Sequence, residues 1–597
     1  MWPFSSLWIT DQSKARVLIA AKRAERDSLL ATAPRLTARH EQFLEAGAHE
    51  IVSRIGKGEW TAREVVEAYI AQAAQAQTTT NCLTEVAFQQ ALKRAETLDA
   101  EYSATKKLRG PLHGVPFSAK DQFDIVGFDT SIGFTTWANK PAITNAVLVD
   151  QLISLGAIPI AKTNVPQTMF SFECNNPLWG RTTNPYNSNY TCGGSSGGEA
   201  ALLAMDGSAI GIGSDVGGSL RIPAAYCGVY GLKTSFGRVS RAGAHSSNPA
   251  FEGIKSITGP MARNVKDLEL FCKVIFGLQD ERHLDYTFVP MPYHQLELPK
   301  QLKFGYYTSG KLNTTYLGEY GAPPHIADNF AKASPATARA VMETVEALQK
   351  QGHECIEIEL PDVSDCLEIY LALISADGYK RMTSPLGPDP MEPSLILPVY
   401  GSRIPSFLRR FGAWFAESIL GDSLFAKFIR ASRIKSVFEM NSWAARRNNW
   451  NAMFYEKVWN HYELDGIICP VQAMPQIPHG GSTTVNSLVI STAVYNLVDS
   501  PVGIVPVTHV NGLKDQVTEA WLSPGSNGRS VLMEKRLYTA AKPMYNPVDM
   551  DGLPVSVQII GRKWEDEKVL AMMSVVDDAL GPNRGFGPRR FAKHAGS

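Results

Sequence analysis

Short apolar runs of strand length alternate with longer runs of helical period through most of this 597-residue chain, and that alternation constrains the fold more than any other feature. PLHGVPFSAK reads as a strand, LVDQLISLG as a helix closed by Gly156, and IPIAKTN as a further strand. QLKFGYY, the helix ARAVMETVEALQKQG and the strand ECIEIELP repeat the pattern. LDGIICPV and PVSVQIIGR are strands, and DEKVLAMMSVVDDAL is a closing helix. Such a succession predicts an α/β fold, one large sheet with helices on both faces. Residues 13–79 are helix-like instead, with VLIAAKRAERDSLLA and REVVEAYIAQAAQ the clearest stretches. No internal repeat or low-complexity linker cuts the chain, so one large domain behind a helical N-terminal segment is expected.

Composition removes several functional classes. Hydrophobic residues at 44% and charged residues at 19% allow a large core and argue against general disorder. Lys+Arg and Asp+Glu are both 58, so no basic excess points to a nucleic-acid partner. The eight cysteines form no C-x-x-C pair, which leaves zinc and redox-motif readings unsupported and free thiols expected. MWPFSSLWITDQSKAR lacks the positive start of a secretory signal. No stretch reaches the roughly 18 apolar residues of a membrane span. The expectation is a soluble, cytoplasmic, globular protein.

Residues 392–432 stand apart. In IPSFLRRFGAWFAESILGDSLFAKFIRAS, apolar residues recur at helical spacing beside Arg409, Arg410, Lys427 and Arg430. Such a stretch can lie on a membrane surface or cover an apolar pocket, and an ordinary packed helical insert has the same pattern.

The segment TCGGSSGGEAALLAMDGSAIGIGSDVGGSLRIPAAYCGVYGLKTSFGRVS carries the chemistry. A phosphate-cradling loop needs Lys-Ser/Thr after its glycines, and here Gly198 is followed by Glu199. GIGSDVG has one residue too many for a dinucleotide fingerprint. Gly193–Gly197 matches G-x-S-x-G with Ser195 as nucleophile, but His461, His479 and His509 sit in no triad context. A bare Gly/Ser hexamer is usually a flexible turn. Here Ser196 and Glu199 have capping-box spacing before AALLAM, which predicts a helix opening at this loop. DVGGS places unencumbered backbone N–H groups just ahead of Ser219, a turn able to hold an oxyanion while the adjacent hydroxyl attacks a carbonyl. A serine nucleophile needs a base, and with histidine unsupported the candidate is Lys120 in GVPFSAKDQFDI, where desolvation favours the neutral amine.

Lys120 in PFSAKD, the long glycine-serine run, and spacings of 75 and 24 residues between Lys120, Ser195 and Ser219 resemble the amidase signature family. GPLHGVP, NNPLWGRTTNP, PVGIVPVT and GLPVSVQIIGR extend the resemblance from roughly 61 to 580. It implies an amidase-signature fold, a twisted mixed sheet between helices. It also implies a helical N-terminal segment over 1–60, a catalytic domain over 61–585 that includes 392–432 as a helical cap, and a tail over 586–597. Carried over, Ser219 is the acylated nucleophile, Ser195 the bridging serine after a cis Gly194–Ser195 bond, and Lys120 the base. Val216, Gly217, Gly218 and Ser219 supply oxyanion N–H groups, and Ser196 supports the bridge. Asp215 and Arg221 flank the loop and are expected to pair. The implied chemistry is amide hydrolysis through an acyl-enzyme, with no metal and no organic cofactor. Thr234-Ser235 depart from the Lys-Pro usual in relatives, which leaves the backbone after the signature open.

The nearest types within the family are fatty-acid amide hydrolases and acetamidase-type general amidases. QTMFSFEC resembles the segment where the former put an acyl-binding wall, with Met169 and Phe170 in those positions, although by composition alone both read better as plain core residues. The 392–432 insert matches the membrane-contacting cap of those hydrolases. Together they favour a small-molecule fatty acyl amide and a peripheral, reversible membrane contact. A short-chain amidase, an amidotransferase subunit and a non-catalytic membrane-surface protein remain the alternatives. Homodimerisation, common in the family, is an expectation of the resemblance alone.

Overall fold

The computed structural model describes residues 5–249, 251–280, 282, 284–308, 330–519, 521–522 and 530–591. Among them, the apolar runs become β1 (Leu83–Val86), β2 (Pro116–Lys120), β3 (Ile158–Thr163), β4 (Ile210–Asp215), β5 (Tyr230–Lys233) and β6 (Ile257–Ala262). They continue as β7 (Lys303–Tyr306), β8 (Glu354–Glu357), β9 (Gly466–Pro470), β10 (Val502–His509) and β11 (Pro554–Ile560). All eleven join one sheet in the order β1-β3-β2-β4-β6-β5-β10-β11-β9-β7-β8. The sheet is mixed: β3, β2 and β4 run parallel, β4 to β6 and β5 to β11 are antiparallel, and β9, β7 and β8 are parallel again. β2, β4, β6, β9 and β11 are buried at every position, so both faces are covered. Their mostly apolar and small residues follow from that cover.

The helix-like N-terminal region holds the α-helices Ser5–Leu30, Glu41–Glu45, Ala48–Gly56 and Ala62–Thr80. Thr61 and Glu64 close a reciprocal capping box on the last of these. The first is tied to the domain through Arg26, which donates to Leu83 O at 3.0 Å, and Arg23, which donates to Leu178 O at 2.8 Å. Of the tail over 586–597, residues 592–597 lie outside the described residues, and Phe586 stacks on His509 with ring centroids 4.4 Å apart. The 392–432 stretch forms three helices, Pro393–Arg403, Ser406–Ser418 and Ser423–Ala431.

The register of the parallel strands places the site. β2 and β4 pair with Ala119 opposite Ile212, so Lys120 and Asp215 both emerge at the carboxyl end of the sheet. Open α/β sheets bind ligands at that end. Because side chains alternate, Ser118 and Lys120 share one face of β2. The helix Gly197–Ala204, which follows the first glycine-serine loop, covers that face by setting Glu199 against Ser118.

Candidate active site

Two loops and one strand end meet here. Lys120 Nζ donates to Ser195 Oγ at 2.7 Å and to Ser214 Oγ at 2.9 Å. Ser195 follows the cis Gly194–Ser195 peptide bond. Gly194 has to lack a side chain: a Cβ would lie 2.5 Å from Ser171 O. The second loop locks onto the first where Ser196 N–H donates to Ser219 O at 2.9 Å. Ser219 itself is half-buried, and among the described residues no hydrogen bond joins its hydroxyl to Ser195. No histidine bonds to either serine among those residues, which leaves the G-x-S-x-G triad reading without a base.

Burial sets the charge state of the lysine. Lys120 is wholly enclosed, and desolvation pushes its amine down to about 7 against the pull of Asp215, Cys174 and Glu199. Asp215 is enclosed as well. Burial pushes its carboxyl up, but Arg221, with Lys233 and Asn496, outweighs that and brings it down to about 2. The expected Asp215–Arg221 pair is present, with Nε to Oδ2 and Nη2 to Oδ1 both at 3.0 Å. Residues far away complete it. Asn496 donates to Asp215 Oδ1 at 2.8 Å, and Arg221 Nη1 donates to Gln558 Oε1 at 2.8 Å and Thr492 O at 3.0 Å.

Two expectations need correction. The predicted helix does open after Ser196, but Ser196 makes no side-chain cap. Its hydroxyl faces Ser214 N and O at 3.4 Å, and Glu199 turns inward to bond Ser118 Oγ and, at 2.7 Å, Thr163 Oγ1. A carboxyl folded into the interior cannot reach back to the helix start, and burial pushes it up to about 7 despite those bonds. Gly218 is the second. Its N–H is not free for an oxyanion, because it donates to Asp215 Oδ1 at 2.8 Å. The N–H groups of Val216, Gly217 and Ser219 donate to no partner among the described residues, and these three amides are the ones left to face an oxyanion.

The remaining predicted residues lie around this centre. Met169, at φ +60°, packs with Ile132, Phe134, Val165 and Leu386 in a small satellite core. Phe170 faces Tyr379 with ring centroids 5.7 Å apart. The segment they belong to continues into Ser171 and Phe172, which press on Gly194. After the signature, Ser235 N–H donates to Asp566 Oδ1 at 2.7 Å, and Ser235 Oγ accepts from Trp564 N at 2.9 Å. Sequence reasoning missed Ser214, Gln122, Asn496, Gln558 and Thr492. Gln122 could have been found, since it stands two residues after Lys120.

Comparison with known proteins agrees with this arrangement. A family model described as Amidase matches residues 64–570. Kk1C of Curvularia clavata, described as a putative amidase, is 33% identical over 91% of this chain and 90% of its own length. An acetamidase of Emericella nidulans is 33% identical over 90% of each chain. A solved fatty acid amide hydrolase superposes with a TM-score of 0.77 at 25% identity, covering 96% of this chain and 95% of that one. Matched along nearly its whole length by a family model and by relatives of its own size, the chain belongs to the amidase signature family and is an amide hydrolase.

Proposed function

We propose that this amide hydrolase works through a Ser219 acyl-enzyme, with Ser195 as bridge and Lys120 as base, on amides with a hydrophobic acyl chain. The observation that supports the triad is the enclosed Lys120 amine, pushed down to about 7 and 2.7 Å from Ser195 Oγ. At neutral pH a large fraction is uncharged and able to accept a proton. Lys120 takes the Ser195 proton, and Ser195 takes the Ser219 proton as Ser219 Oγ bonds to the carbonyl carbon. The carbonyl π pair moves onto oxygen, where the amides of Val216, Gly217 and Ser219 stabilise it. Collapse breaks the C–N bond, and the proton returns through Ser195 to the leaving nitrogen. Water then adds to the ester by the same relay, releasing the acid and restoring the Ser219 hydroxyl.

Two features support a hydrophobic acyl chain. The backbone of Ser171 and Phe172 runs close enough to Gly194 that a Cβ there would lie 2.5 Å from Ser171 O, so the segment carrying Met169 and Phe170 passes beside the Ser195 loop. The cap helices leave Phe407, Phe411 and Trp414 half or more exposed, beside Arg410. A face of that kind suits peripheral contact with a lipid surface that delivers apolar substrates. Among the described residues no helix is long and apolar enough to cross a membrane. Lys427 and Arg430 are engaged internally, with Asp365 and Glu417, and add little to that face. One observation favours a short-chain amidase instead: Met169 is packed into a satellite core rather than left free.

The test is kcat/KM on unbranched primary amides from acetamide to oleamide, with Ser219→Ala as blank. A rise with chain length supports the lipid-amide reading, and a maximum at two to four carbons makes this a short-chain amidase. Turnover of none, with Ser219 still acylated by a fluorophosphonate, points to a partner-dependent enzyme of the amidotransferase kind. No acylation sinks the catalytic reading altogether.

A further inference from the structure

Lys120 has a second partner that the relay does not use. Its Nζ lies 2.9 Å from Ser214 Oγ, and Ser214 Oγ lies 2.5 Å from Gln122 Oε1. All three side chains are more than nine-tenths buried. Gln122 Oε1 has no proton to give, so the Ser214 hydroxyl must donate to it. Having one proton only, Ser214 then meets Lys120 as an acceptor. A neutral amine has two N–H donors and a single electron pair. One donor is fixed on Ser214, which leaves one N–H and the electron pair for other partners, and a base requires that the pair be the one that faces Ser195 at 2.7 Å.

We infer that Gln122, acting through Ser214, is a positioning residue that aims the electron pair of Lys120 at Ser195. Gln122 touches no reacting atom. It sets the direction of one hydroxyl, and that hydroxyl decides whether Lys120 serves Ser195 as a base or is occupied as an acceptor itself. Without Gln122 the Ser214 proton is free to swing onto the Lys120 electron pair and block it. The inference rests on the reading of Lys120 as base. The charged and titratable groups around Lys120 are Asp215, Glu199 and Cys174, and none of them bonds to Ser214 Oγ or Gln122 Oε1.

The experiment is a double-mutant cycle, with kcat, KM and pH profiles measured on the primary amide that the wild type turns over best. Gln122→Leu is expected to lower kcat on the order of 10- to 100-fold, a fraction of what a general base contributes, with KM within about twofold. Ser214→Ala removes the guide and the blocker together and costs less. The double variant Gln122→Leu/Ser214→Ala therefore returns to the Ser214→Ala level and is faster than Gln122→Leu alone. The acidic limb of kcat/KM also moves. In Gln122→Leu the neutral amine gains a donor and loses an acceptor, so the limb shifts to lower pH. Gln122→Glu keeps the acceptor and adds negative charge, so its limb shifts to higher pH.

Losses that multiply in the double variant, a KM effect at constant kcat, or an unmoved limb overturn the inference. Should Gln122→Leu not fold by thermal melting, Gln122→Glu and Ser214→Ala carry the test, and no upward limb shift in Gln122→Glu overturns it. A Lys120→Ala enzyme as active as wild type defeats the base reading beneath it. An inactive Lys120→Ala with a multiplicative cycle defeats this inference alone.

Discussion

Arg221 grips Asp215 with two nitrogens, each 3.0 Å from a different carboxylate oxygen, and neither side chain reaches solvent. The same carboxylate accepts the N–H of Gly218 at 2.8 Å and of Leu220 at 3.2 Å. The pair thus shapes the turn that carries Ser219, rather than contributing a loose surface attraction. Buried pairs are costly to break from one side, because the surviving charge is stranded. Asp215→Asn is expected to destabilise the fold by about 3–5 kcal/mol and to lower the thermal midpoint. Asp215→Leu/Arg221→Met, with both charges gone, should lose less stability than Asp215→Asn. A double variant less stable than the single one refutes this account. Activity is expected to vanish in both, since the turn loses its anchor.

The enclosed lysine predicts a pH dependence of definite sign. Lys120 sits at about 7, below the ordinary 10.5, because burial penalises its charged form. A base must be uncharged, so log kcat/KM rises with unit slope below about 7 and levels off above it. Stability moves the same way. Between about 7 and 10.5 the unfolded chain binds a proton at this lysine that the folded chain does not, so this group makes stability rise with pH across that window. Lys120→Met removes both dependences. A stability increment from Lys120→Met that is no larger at pH 6 than at pH 10 contradicts the assignment.

Gly217 is held bare by a tyrosine. A Cβ there would lie 2.5 Å from the Tyr370 hydroxyl and 3.2 Å from its Cζ. Gly217→Ala therefore pushes on the loop proposed to hold the oxyanion, and kcat should fall on the order of 100-fold. Tyr370→Phe removes the atom in closest conflict. Gly217→Ala/Tyr370→Phe should recover part of that loss, and a double variant slower than Gly217→Ala would place the fault elsewhere.

Legibility followed sequence distance. Lys120, Ser195 and Ser219, which the structure brings to one place, were singled out through the length and spacing of the amidase-signature resemblance, since each short motif alone has a plain structural reading. Asp215 and Arg221, six residues apart, could be paired from local spacing alone. Asn496 and Gln558, which complete that network from 275 and 337 residues beyond Arg221, left no mark that pattern could detect. The Ser196–Glu199 box failed for another reason. Its spacing was right, but tertiary burial turned Glu199 toward Ser118 and Thr163, and the local rule lost to the interior. Gly218 shows the same limit: a bare N–H looked available until Asp215 was found to hold it.

The cap makes a separable prediction. Phe407 and Phe411 are 62% and 59% exposed and pack little of their surface against the domain. Replacing both by Ser should therefore leave the thermal midpoint and acetamide turnover unchanged within error. Association with phosphatidylcholine vesicles containing anionic lipid should drop on the order of 100-fold, since burial of each aromatic in an apolar phase is worth about 1.5–3 kcal/mol. Unchanged flotation with vesicles would reduce these helices to packing.

The leaving group offers the most direct test of the relay. An amine is expelled from a tetrahedral intermediate only when its nitrogen gains a proton, whereas an alkoxide of a good ester leaves without one. If Lys120 returns its proton through Ser195, its loss should weigh on amides more than on esters of the same acyl chain. Lys120→Ala is expected to cost about 10²–10⁴ in kcat on the amide. On the matched ester the loss should be at least tenfold smaller. Ser195→Ala interrupts the same path and should show the same bias, while Ser219→Ala abolishes both activities without preference. Equal losses on amide and ester for Lys120→Ala would confine the lysine to activating Ser219 and remove it from departure of the amine.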